Sequence, residues 1–582
     1  MTRQEQRSGG YTENIVVPDT DLALIDRYRN EPGPLLPILH AFHNRDGFIG
    51  PAAIEAIGKE LRIPLADLYG TVTFYHHFAR EDGGLQRPRV CTGPVCRQRG
   101  ALEIVESLDG AEEMPCSGRC DDPVPILIGH ETFVVSPPLH TLQRRISSPL
   151  PVPNPGGREE CVFAEIRQPE RECLDGYRRS GGYDALTQAV QGQTPTDIID
   201  VLKESKLAGR GGAGFPTGMK WQFVREAPRA PKSIVCNADE GEPGCFKDRA
   251  LMDHDPFAVI EGMTLAGYAT GADRGFLYLR YEYPETNARL EEAIEAAEEA
   301  GLLGENILGS GFTFNLYLRR GAGAYICGEE GSLLNSLEGK HPFPRNRPPF
   351  PTTHGFDNLP TAVNNVETLC AVPQILRRGA EWYQGLGLGD HAGTKVISLS
   401  GDVQRPGNYE VPFGLPLRTL LYDWAGGPLP GRSFQAATMA GLSGGFLAGE
   451  ALETVTLDEP SVRGAGSMLG AGGIIIFDDS RDIVDAARQA MEFFAHESCG
   501  KCFPCRIGTQ RLLERLSGGG PDELDAWRRE ISDIGDVLEL SACGLGVAAG
   551  FVSDSLLRNF PEQVAEFRDE QRRIVGGGGD WL

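Results

Sequence analysis

Four cysteines near the end of the chain have the spacing of a metal-cluster site. Cys499, Cys502 and Cys505 stand in the stretch ESCGKCFPCRIGT, and Cys543 follows after 37 intervening residues. Three thiolates from one loop and a fourth from a distant residue form the ligand set of many iron–sulfur clusters. Four thiolates also suit tetrahedral zinc, but zinc sites more often use two C-x2-C pairs. The spacing therefore favours a [4Fe–4S] cluster over zinc.

A second group of four cysteines lies nearer the beginning of the chain. Cys91 and Cys96 form one pair, Cys116 and Cys120 form another, and 19 residues separate the two pairs. Two pairs on two loops suit a [2Fe–2S] cluster in which each pair binds one iron. A structural zinc ion or a disulfide-exchange pair would use the same residues, so both alternatives stay open. The other six cysteines are scattered, and we expect them to be structural.

The stretch LAGRGGAGFPTGMKW contains the pattern G-x-G-x-x-G between Gly209 and Gly214. In a dinucleotide-binding Rossmann fold this pattern must follow a strand and open a helix. The preceding TPTDIIDVLKESKLAG has instead the apolar spacing of an amphipathic helix, with Thr196 predicted as its N-cap. A glycine-rich turn still presents backbone N–H groups to an anion, and Lys220 would place a cation beside a flavin or a phosphate. A plain flexible loop is the alternative.

Three further segments combine glycines, amides and acids. RRGAGAYICGEE ends in the paired acids Glu329 and Glu330. Acid clusters are most often solvated faces, but carboxylates beside glycines can bind ribose hydroxyls, as they do for NAD. They would also repel the extra phosphate of NADP. The candidates in CNADEGEPGCFKDR and TAVNNVETL are Asn237, Asp239, Glu240, Glu242, Asn364, Asn365 and Thr368.

The patterning around these residues predicts several domains. We expect a helical segment over residues 1–85, a mixed domain over 86–147 and a proline-rich linker over 148–178. Residues 179–390 alternate helical patterns with apolar strands, which predicts an α/β domain. Residues 391–477 predict a small α+β domain, and residues 478–582 predict helices that end in a loose tail at Asp580 to Leu582.

The composition excludes several classes of function. The chain has 582 residues and a formal net charge of −25, whereas binding to nucleic acid needs clustered Lys and Arg. No apolar run approaches the roughly 20 residues of a membrane-spanning helix, and the first residues lack the apolar core of a secretory signal. We therefore expect a cytoplasmic protein with no nucleic-acid partner and no direct membrane insertion.

Five motifs together resemble one protein family. GRGGAGFPTGMKW, CNADEGEPGCFKDR, GAGAYICGEEGSLLNSLEGK, NNVET and ESCGKCFPCRIGT look like the 51-kDa-type flavin subunit of the NADH dehydrogenase module of complex I, over residues 180–572. Residues 20–150 resemble the 24-kDa-type subunit of the same module. Similar fusions occur as the beta subunit of NAD-dependent formate dehydrogenases and as the flavin diaphorase subunit of NAD-reducing hydrogenases.

The resemblance implies a multidomain α/β and α+β fold. A thioredoxin-like [2Fe–2S] domain would follow the helical segment, and a Rossmann-like FMN domain would occupy residues 179–390. A ubiquitin-like, SLBB-type β-grasp domain would occupy 391–477, and a C-terminal helical bundle with the [4Fe–4S] cluster would occupy 478–582. The implied cofactors are FMN, NAD and the two clusters.

Motif matching to this family also assigns the binding residues. The resemblance implies catalytic roles for Glu242 and Glu330, with Glu330 near the nicotinamide, where it would influence substrate choice and product release. Hydride would pass between the nicotinamide and the flavin without a covalent catalyst. The implied NAD contacts are Phe215, Phe223, Phe350, Glu242 and Glu330. The implied flavin-site set is Gly209, Arg210, Gly211, Gly212, Lys220, Asn237, Asp239, Glu240, Tyr325, Gly328, Glu329, Asn364, Asn365 and Thr368. Electrons would then move singly through the cluster at Cys499, Cys502, Cys505 and Cys543, with the Cys91 group as a side store or second relay.

Three features depart from the family pattern. The gap between Cys96 and Cys116 is shorter than the family's, so an element of the thioredoxin-like domain would be trimmed. Arg347 stands where Lys is usual, which keeps the charge but changes the geometry. Cys245 replaces a usual Thr, and we interpret it as a bystander thiol.

The terminal redox partner must lie on another subunit, since the chain carries no molybdopterin or nickel signature. The fused architecture and the four intact N-terminal cysteines favour a formate dehydrogenase alpha subunit, with hydrogenase or complex I subunits as alternatives. Two other classes compete with this interpretation. A non-catalytic iron–sulfur scaffold would not need Phe215, Tyr325 and Glu330, and a self-contained Rossmann dehydrogenase would not have a helix before Gly209.

Overall fold

The computed structural model describes residues 16–136, 141–155 and 157–576, so the predicted tail at Asp580 to Leu582 lies outside the described residues. Four helices fill the described part of the first predicted segment: α1 (Asp19–Asp26), α2 (Leu35–Asp46), α3 (Pro51–Leu61) and α4 (Leu65–Phe74). Their apolar faces do not form a core of their own. Leu36, Ile57 and Val72 share one buried cluster with Phe276 and Val363 of the central sheet, so this segment packs directly on the α/β domain.

The first sheet carries the N-terminal cysteine group. Its strand order is β2-β1-β3-β4-β5, with a parallel β1/β2 pair and antiparallel pairs elsewhere. The strands are β1 (Arg89–Cys91), β2 (Glu112–Met114), β3 (Pro125–Ile128), β4 (Glu131–Ser136) and β5 (Thr141–Arg145). The short segment between Cys96 and Cys116 still holds one helix, α6 (Ala101–Ser107), and strand β2, after the single turn α5 (Pro94–Arg97).

The central sheet is parallel throughout, in the order β8-β7-β6-β9. Its strands are β6 (Ser233–Ala238), β7 (Arg274–Leu279), β8 (Asn315–Arg320) and β9 (Thr361–Asn365). The inner strands are buried runs such as SIVCNA, as expected where helices cover both faces. The helices of this domain are α7 (Leu174–Arg179), α8 (Asp184–Gly192), α9 (Pro195–Glu204), α10 (Thr217–Glu226), α11 (Lys247–His254), α12 (Pro256–Thr270), α13 (Pro284–Glu299), α14 (Glu330–Leu337), α15 (Pro351–His354), α16 (Val366–Arg378) and α17 (Ala380–Gly385).

The glycine pattern at Gly209 lies between two helices, α9 and α10, as its context in the sequence predicted. This order excludes the strand–loop–helix arrangement of a Rossmann fingerprint. The predicted N-cap was wrong by two residues. Thr194, not Thr196, caps α9: its hydroxyl accepts from the backbone of Asp197, whose carboxylate accepts from the Thr194 backbone. Pro195 then takes the first helical position, where its missing N–H does no harm, and this leaves Thr196 inside the helix.

A third sheet and a bundle of helices complete the chain. The sheet runs β11-β10-β14-β12-β13 and contains β10 (Thr394–Gly401), β11 (Gly407–Pro412), β12 (Phe434–Met439), β13 (Phe446–Ala448) and β14 (Gly473–Asp478), with two short helices, α18 (Glu450–Thr454) and α19 (Glu459–Gly464). The bundle contains α20 (Ile483–Glu497), α21 (Phe503–Leu516), α22 (Leu524–Leu538), α23 (Gly544–Asn559) and α24 (Pro561–Gly576). Within the described residues, every helix is too short or too polar to cross a bilayer.

The predicted linker is packed against the protein rather than extended in solvent. The buried carboxylate of Glu410 on β11 accepts hydrogen bonds from three consecutive backbone N–H groups, those of Cys161 (2.6 Å), Val162 (3.2 Å) and Phe163 (2.7 Å). It also accepts from the Thr394 hydroxyl. Burial raises the pKa of Glu410 to about 7. One side chain of the third sheet therefore satisfies the backbone of the linker, whose proline-rich composition gave no sign of this contact.

Replacement of Glu410 by Ala should destabilise the protein by about 3 kcal/mol, because the buried N–H groups would lose their acceptor. We expect a lower midpoint of thermal unfolding for the cofactor-loaded protein, measured by calorimetry. The midpoint of thermal unfolding should fall less in Glu410→Gln, because the amide retains one carbonyl oxygen as an acceptor. The control is Glu381→Ala at an exposed position. Equal midpoints for Glu410→Ala and the control would show that this contact contributes nothing.

Candidate functional site

The candidate site lies at the carboxyl ends of the parallel strands, where ligands bind in open α/β sheets. Asn237, the penultimate residue of β6, donates from its amide to the carbonyl of Gly328 (2.7 Å). The same side chain accepts from the backbone of Asp239 (3.2 Å). One amide thus joins the segment that follows β6 to the loop that precedes α14, and it brings two of the predicted segments together.

The glycine loop closes this site on the side of β9 and α16. The backbone N–H of Arg210 donates to the hydroxyl of Thr368 (2.9 Å). A Cβ on Gly211 would lie 3.1 Å from the Cβ of Asn365. Gly212 has a φ of +122°, a backbone conformation that residues other than glycine rarely adopt. No atom of the described residues lies within 4 Å of a Cβ placed on Gly214, so the loop is open on that side as far as the structure describes it. The glycines therefore allow the loop to lie close to Asn365 and leave its backbone open on the side of Gly214.

The side chain of Arg210 turns away from the predicted ligand. Its guanidinium donates to the carbonyl of Thr394 (3.0 Å) and to the hydroxyl of Tyr383 (2.5 Å), and it lies 4.6 Å from the ring centre of Phe413. These contacts fix the loop on the third sheet. Lys220 lies at the other side of the site, where its ammonium donates to the carbonyl of Val363 (2.7 Å) and burial lowers its pKa. The side chains of both predicted contacts are therefore hydrogen-bonded within the protein.

Two predicted acids are saturated by internal hydrogen bonds. Glu242 accepts from the backbone of Leu442 (2.8 Å) and Ser443 (3.1 Å), and also from the hydroxyls of Ser443 (2.6 Å) and Tyr325 (2.5 Å). Glu240 accepts from two backbone N–H groups in the first turn of α11, those of Asp248 and Arg249, and from the hydroxyl of Tyr283. Burial raises the pKa of both carboxyls, that of Glu240 to about 7. A role in ligand binding stays a prediction for both residues.

Asp239 differs from its neighbours because part of its carboxylate lacks a partner. Its Oδ2 atom is buried and has no hydrogen bond among the described residues. Loss of solvation raises the pKa of this carboxyl to about 8. Asp239 lines a cavity together with Gly241 and Tyr325. A buried acceptor with no partner indicates that a ligand or water completes the site, and a polyhydroxylated flavin chain would supply the missing donor.

The two amides at the end of β9 also have partners inside the protein. Asn364 accepts from the indole of Trp221 (3.0 Å), and Asn365 donates to the buried carboxylate of Asp248 (2.6 Å). Asn365 also accepts from the ammonium of Lys247 (3.2 Å). These contacts fix the orientation of both amides beside the glycine loop. Their assignment as flavin contacts stays a prediction.

The paired acids and the aromatic residues form the outer part of the site. Arg347 contacts Glu329 (2.5 Å) and Glu330 (2.9 Å), so the arginine that replaces the usual lysine bridges both carboxylates. Glu329 also caps α14 through the backbone of Ser332 (2.8 Å). Phe215 and Phe223 are each 43% exposed, with ring centres 6.4 Å apart, and Phe350 is 55% exposed. Exposed aromatic faces beside a polar site suit the stacking of a nucleotide base.

The structure brings the four C-terminal cysteines together around one cavity. Cys499, Cys502, Cys505 and Cys543 line this cavity with Ile326 and Pro344, among others. Burial raises the pKa of Cys505 to about 11 and that of Cys543 to about 12. Four thiols from one loop and from the start of α23 fit a cubane cluster, in which bound iron would hold them as thiolates.

The N-terminal cysteines also form one group. All four are buried, the Sγ atoms of Cys116 and Cys120 lie 3.6 Å apart, and the backbone of Ser117 donates to the sulfur of Cys91 (3.4 Å). Sulfurs at this separation can bind the same iron, and a backbone N–H donor to a sulfur is a common feature of cluster sites. The shorter Cys96–Cys116 segment therefore still allows the four thiols to meet. Among the six scattered cysteines, Cys173 is exposed and the other five, Cys245 included, are buried.

Buried arginines anchor the loop of the second cysteine pair to the α/β domain. Arg280 donates to the carbonyl of Cys116 (2.7 Å) and pairs with Glu282 (3.0 Å). Arg119 pairs with Glu285 (2.6 Å), and Arg249 pairs with Asp121 of the loop (2.6 Å). The three guanidiniums lie 5.0–6.0 Å from the ring centre of Tyr283. Sequence reasoning missed these residues, because charged residues beside a cysteine pair carry no pattern that reveals a partner more than a hundred residues away.

Comparison with known proteins then decides between the alternatives. Four family models match: the Nuo51 FMN-binding domain over residues 202–374, the NADH-ubiquinone oxidoreductase-F iron–sulfur binding region over 485–567, the thioredoxin-like [2Fe–2S] ferredoxin over 22–121 and the SLBB domain over 396–456. The NADH-quinone oxidoreductase F 2 subunit of Rhizobium meliloti (strain 1021) is 46% identical over 71% of this chain and 99% of its own length. The chain belongs to the family of NADH-quinone oxidoreductase F subunits.

Other relatives extend the match. The HndC subunit of the NADP-reducing hydrogenase of Solidesulfovibrio fructosivorans is 44% identical over 64% of this chain and 76% of its own length. The crystal structure of an NAD⁺-reducing [NiFe]-hydrogenase in the air-oxidised state contains a chain with a TM-score of 0.76 and 30% identity. That match covers 93% of this chain and 94% of the other, so it includes the N-terminal segment as well as the flavin part.

Membership of this family confirms the predicted chemistry. The chain is an NADH dehydrogenase-type oxidoreductase with sites for FMN, NAD, a [2Fe–2S] cluster and a [4Fe–4S] cluster. It is a flavin and iron–sulfur subunit of the complex I or NAD(P)-reducing hydrogenase type. The predicted thioredoxin-like, FMN, SLBB and C-terminal helical components of the fold are confirmed as well.

Replacement of Arg280 by Gln should lower the midpoint potential of the [2Fe–2S] cluster. Reduction adds negative charge to a cluster, and the Arg280 guanidinium donates to the backbone carbonyl of Cys116, a predicted cluster ligand. A unit charge within about 10 Å at an effective dielectric constant of about 20 contributes about 2 kcal/mol, which corresponds to several tens of millivolts. The measurement is a redox titration followed by electron paramagnetic resonance.

Two variants make this test specific. Arg280→Lys keeps the charge and should shift the potential less. Arg319→Gln removes another buried arginine, which pairs with Glu31 of the N-terminal segment (2.8 Å), and should leave the potential unchanged. An intact cluster with an unaltered potential in Arg280→Gln would contradict the prediction.

Proposed function

We propose that this chain exchanges hydride between NAD(H) and FMN and passes single electrons through its clusters to or from a catalytic subunit of a larger enzyme. The observation that supports this most directly is the position of two consecutive residues. Tyr325 lines the cavity that contains Cys116 and Asp239, and Ile326 lines the cavity of the four C-terminal cysteines. One loop at the flavin site therefore touches both cysteine sites.

The apolar packing supports the same proposal. Cys116, Cys120, Ile326 and Cys505 belong to one continuous cluster of buried residues. Both cluster sites and the loop that precedes α14 thus share a common, closely packed interior. Such packing fixes the separations between redox centres and excludes water from the space between them.

The chain's own residues would bind and orient the cofactor and the nucleotide. The open backbone of the glycine loop would bind the phosphate, Asp239 would accept from a hydroxyl group, and Asn237 holds the opposite loop in place. Phe215 and Phe223 would stack against NAD. Bound FMN supplies hydride exchange with NAD(H) and single-electron exchange with the clusters. Orientation and exclusion of water are then the tasks left to the protein.

The acids at the start of α14 would influence the choice of nucleotide. Glu330 is half-buried beside the flavin loop, and its carboxylate is bridged to Glu329 through Arg347. Carboxylates at this place would repel the extra phosphate of NADP. Arg347 offsets part of that repulsion, so the preference for NAD(H) would depend on the ion pairs that this arginine keeps.

Replacement of Gly212 by Ala should weaken FMN binding about tenfold. A φ of +122° costs an alanine about 1 to 3 kcal/mol, so the free loop of the variant would relax and FMN binding would have to restore the original conformation. We expect less flavin per chain and a proportional loss of NADH oxidation with ferricyanide as the acceptor. Iron content should stay unchanged. Gly192→Ala, in a helix where nothing lies within 4 Å of the added Cβ, is the control. Cofactor-loaded wild-type protein without NADH oxidation would refute the proposed function itself.

The partner subunit would bind beside the [4Fe–4S] site. Phe503, between two of the cysteines, is 64% exposed, and Leu540, three residues before Cys543, is 77% exposed. Ile507 on α21 and Val537 on α22 add exposed apolar area; α21 begins at Phe503, and Leu540 lies two residues after the end of α22. Exposed apolar groups around a redox site mark a surface for another protein, and a redox partner there would receive electrons over a short distance.

The double variant Phe503→Ser/Leu540→Ser should lose its co-purifying partner but keep its NADH oxidation with ferricyanide. Ile146→Ser, at a residue that is 71% exposed but distant in sequence from the cysteines, is the control and should keep the partner. Partner retention by the double variant would place the interface elsewhere.

We propose a formate dehydrogenase catalytic subunit as the partner, since all four N-terminal cysteines are present and lie together. A hydrogenase is the second candidate, because the match to the NAD⁺-reducing [NiFe]-hydrogenase chain spans nearly the whole sequence. Metal analysis of the co-purified complex distinguishes them: molybdenum or tungsten supports formate, and nickel supports hydrogenase. A cytoplasmic location stays a prediction from the sequence.

A further inference from the structure

Two histidines and a glutamate meet where the N-terminal segment contacts the helical bundle. His76 follows α4, whereas His496 and Glu497 end α20. The Nε2 atom of His76 lies 3.2 Å from Oε1 of Glu497, and the Nδ1 atom of His496 lies 3.5 Å from the same oxygen. One ligand atom from each residue lies within 4.8 Å of the others. The two rings stack with centres 4.7 Å apart.

We propose that His76, His496 and Glu497 bind a divalent zinc-type cation. Zinc takes imidazole nitrogen and carboxylate oxygen at about 2.0–2.2 Å, so two ligands of a tetrahedral site lie about 3.3 Å apart. The observed separations of 3.2 and 3.5 Å match this value. Two histidines and one glutamate form a known three-residue zinc set that leaves the fourth position to water. The site shares no ligand with either cysteine group, although His76 and Glu497 also line the cavity of Cys116 and Asp239. Its occupancy by a cation does not depend on the proposed function.

The surroundings of Glu497 favour a bound cation. Its side chain is only 3% exposed, and its Oε2 atom accepts from the backbone N–H of Tyr325 (3.0 Å). A hydrogen bond to the second oxygen of a ligating carboxylate is typical of metal sites, because it fixes the orientation of the ligand. The imidazole of His76 already lies against this buried carboxylate, and a divalent cation at Oε1 would give the carboxylate a stronger positive partner.

The two histidines leave the site accessible from solvent. The side chain of His76 is 28% exposed and that of His496 is 54% exposed, so a cation has a path of entry and room for a water ligand. This degree of exposure also allows the stacked rings to turn toward a common ion.

A cation bound here would join two distant parts of the chain. The segment at His76 is already paired with the loop that follows β8: the backbone of His76 donates to Gly323 (3.0 Å) and that of His77 donates to Ala322 (3.0 Å). Metal coordination would strengthen the existing contact of this segment, through His76, with Glu497 at the end of α20, two residues before Cys499. We therefore expect the metal to stabilise the contact between the N-terminal segment and the helical bundle.

The test uses the oxidised, full-length protein with FMN and both clusters in place, dialysed to equilibrium against Zn²⁺. Metal analysis should find one more zinc per chain in the wild type than in His76→Ala or His496→Ala, with iron content equal in all samples. Zinc should also raise the midpoint of thermal unfolding of the wild type but not that of the two variants, because binding to the folded state stabilises it.

The matched control is His391→Ala. His391 also faces a carboxylate, that of Asp458 at 3.8 Å, but it lies just before β10 and is not a member of the proposed ligand set. This variant should retain the additional zinc. Equal zinc content in the wild type and in both site variants would overturn the proposal, as would loss of the zinc in His391→Ala. Since both site histidines are partly exposed and the variants are compared at equal iron content, a folding defect would be recognised separately.

Discussion

Two buried carboxylates hold Tyr325 at both ends, and the geometry of the redox sites depends on this arrangement. The hydroxyl of Tyr325 donates to Glu242 (2.5 Å), and its backbone N–H donates to Glu497 (3.0 Å). Glu242 accepts in turn from the backbone of Leu442 and Ser443, which belong to the domain that contains the third sheet, here called the third domain. Glu497 ends α20, the helix before the C-terminal cysteines. A single residue is thus fixed relative to three parts of the chain. Its neighbour Ile326 lines the cavity of those cysteines, so movement of Tyr325 would alter the distance between the flavin loop and the [4Fe–4S] site.

Buried charge pairs extend this arrangement to the N-terminal cysteines. Such pairs add little net stability, because the loss of hydration offsets most of the attraction between the charges. They do enforce geometry, since an unpaired charge in the interior is costly and alternative arrangements would leave one. The pairs Arg119–Glu285 and Arg249–Asp121 connect a cysteine loop to helices α13 and α11 of the α/β domain. The pairing therefore specifies how the thioredoxin-like domain is oriented on the flavin domain, because a shift between the two domains would leave buried charges unpaired.

The sequence predicted the chemistry better than the contacts that position it. Cysteine spacing was sufficient because a cluster constrains its own ligands, and the helix before Gly209 was visible from its apolar period. The acids were harder to interpret: Glu240 and Glu242 look like ribose ligands, but the structure saturates both with internal hydrogen bonds. Local sequence shows that a carboxylate lies beside glycines, but it does not show which distant backbone groups need an acceptor. The same limit hid Arg280, whose partner carbonyl belongs to a residue 164 positions away.

The glycine loop shows why the third domain belongs to the site although it provides none of the predicted ligands. Arg210 inserts its guanidinium between Thr394 and Tyr383, and the ammonium of Lys395 donates to the Arg210 carbonyl (3.3 Å). A Cβ on Gly212 would lie 3.7 Å from the backbone of Gly470 and Ala471. A loop with this many glycines loses much conformational entropy when it is ordered. The third domain offsets that cost before a ligand arrives, so less of the ligand's binding free energy is spent on ordering the loop. The conformation of this six-residue pattern therefore depends on a sheet whose first strand, β10, begins at Thr394, far along the chain.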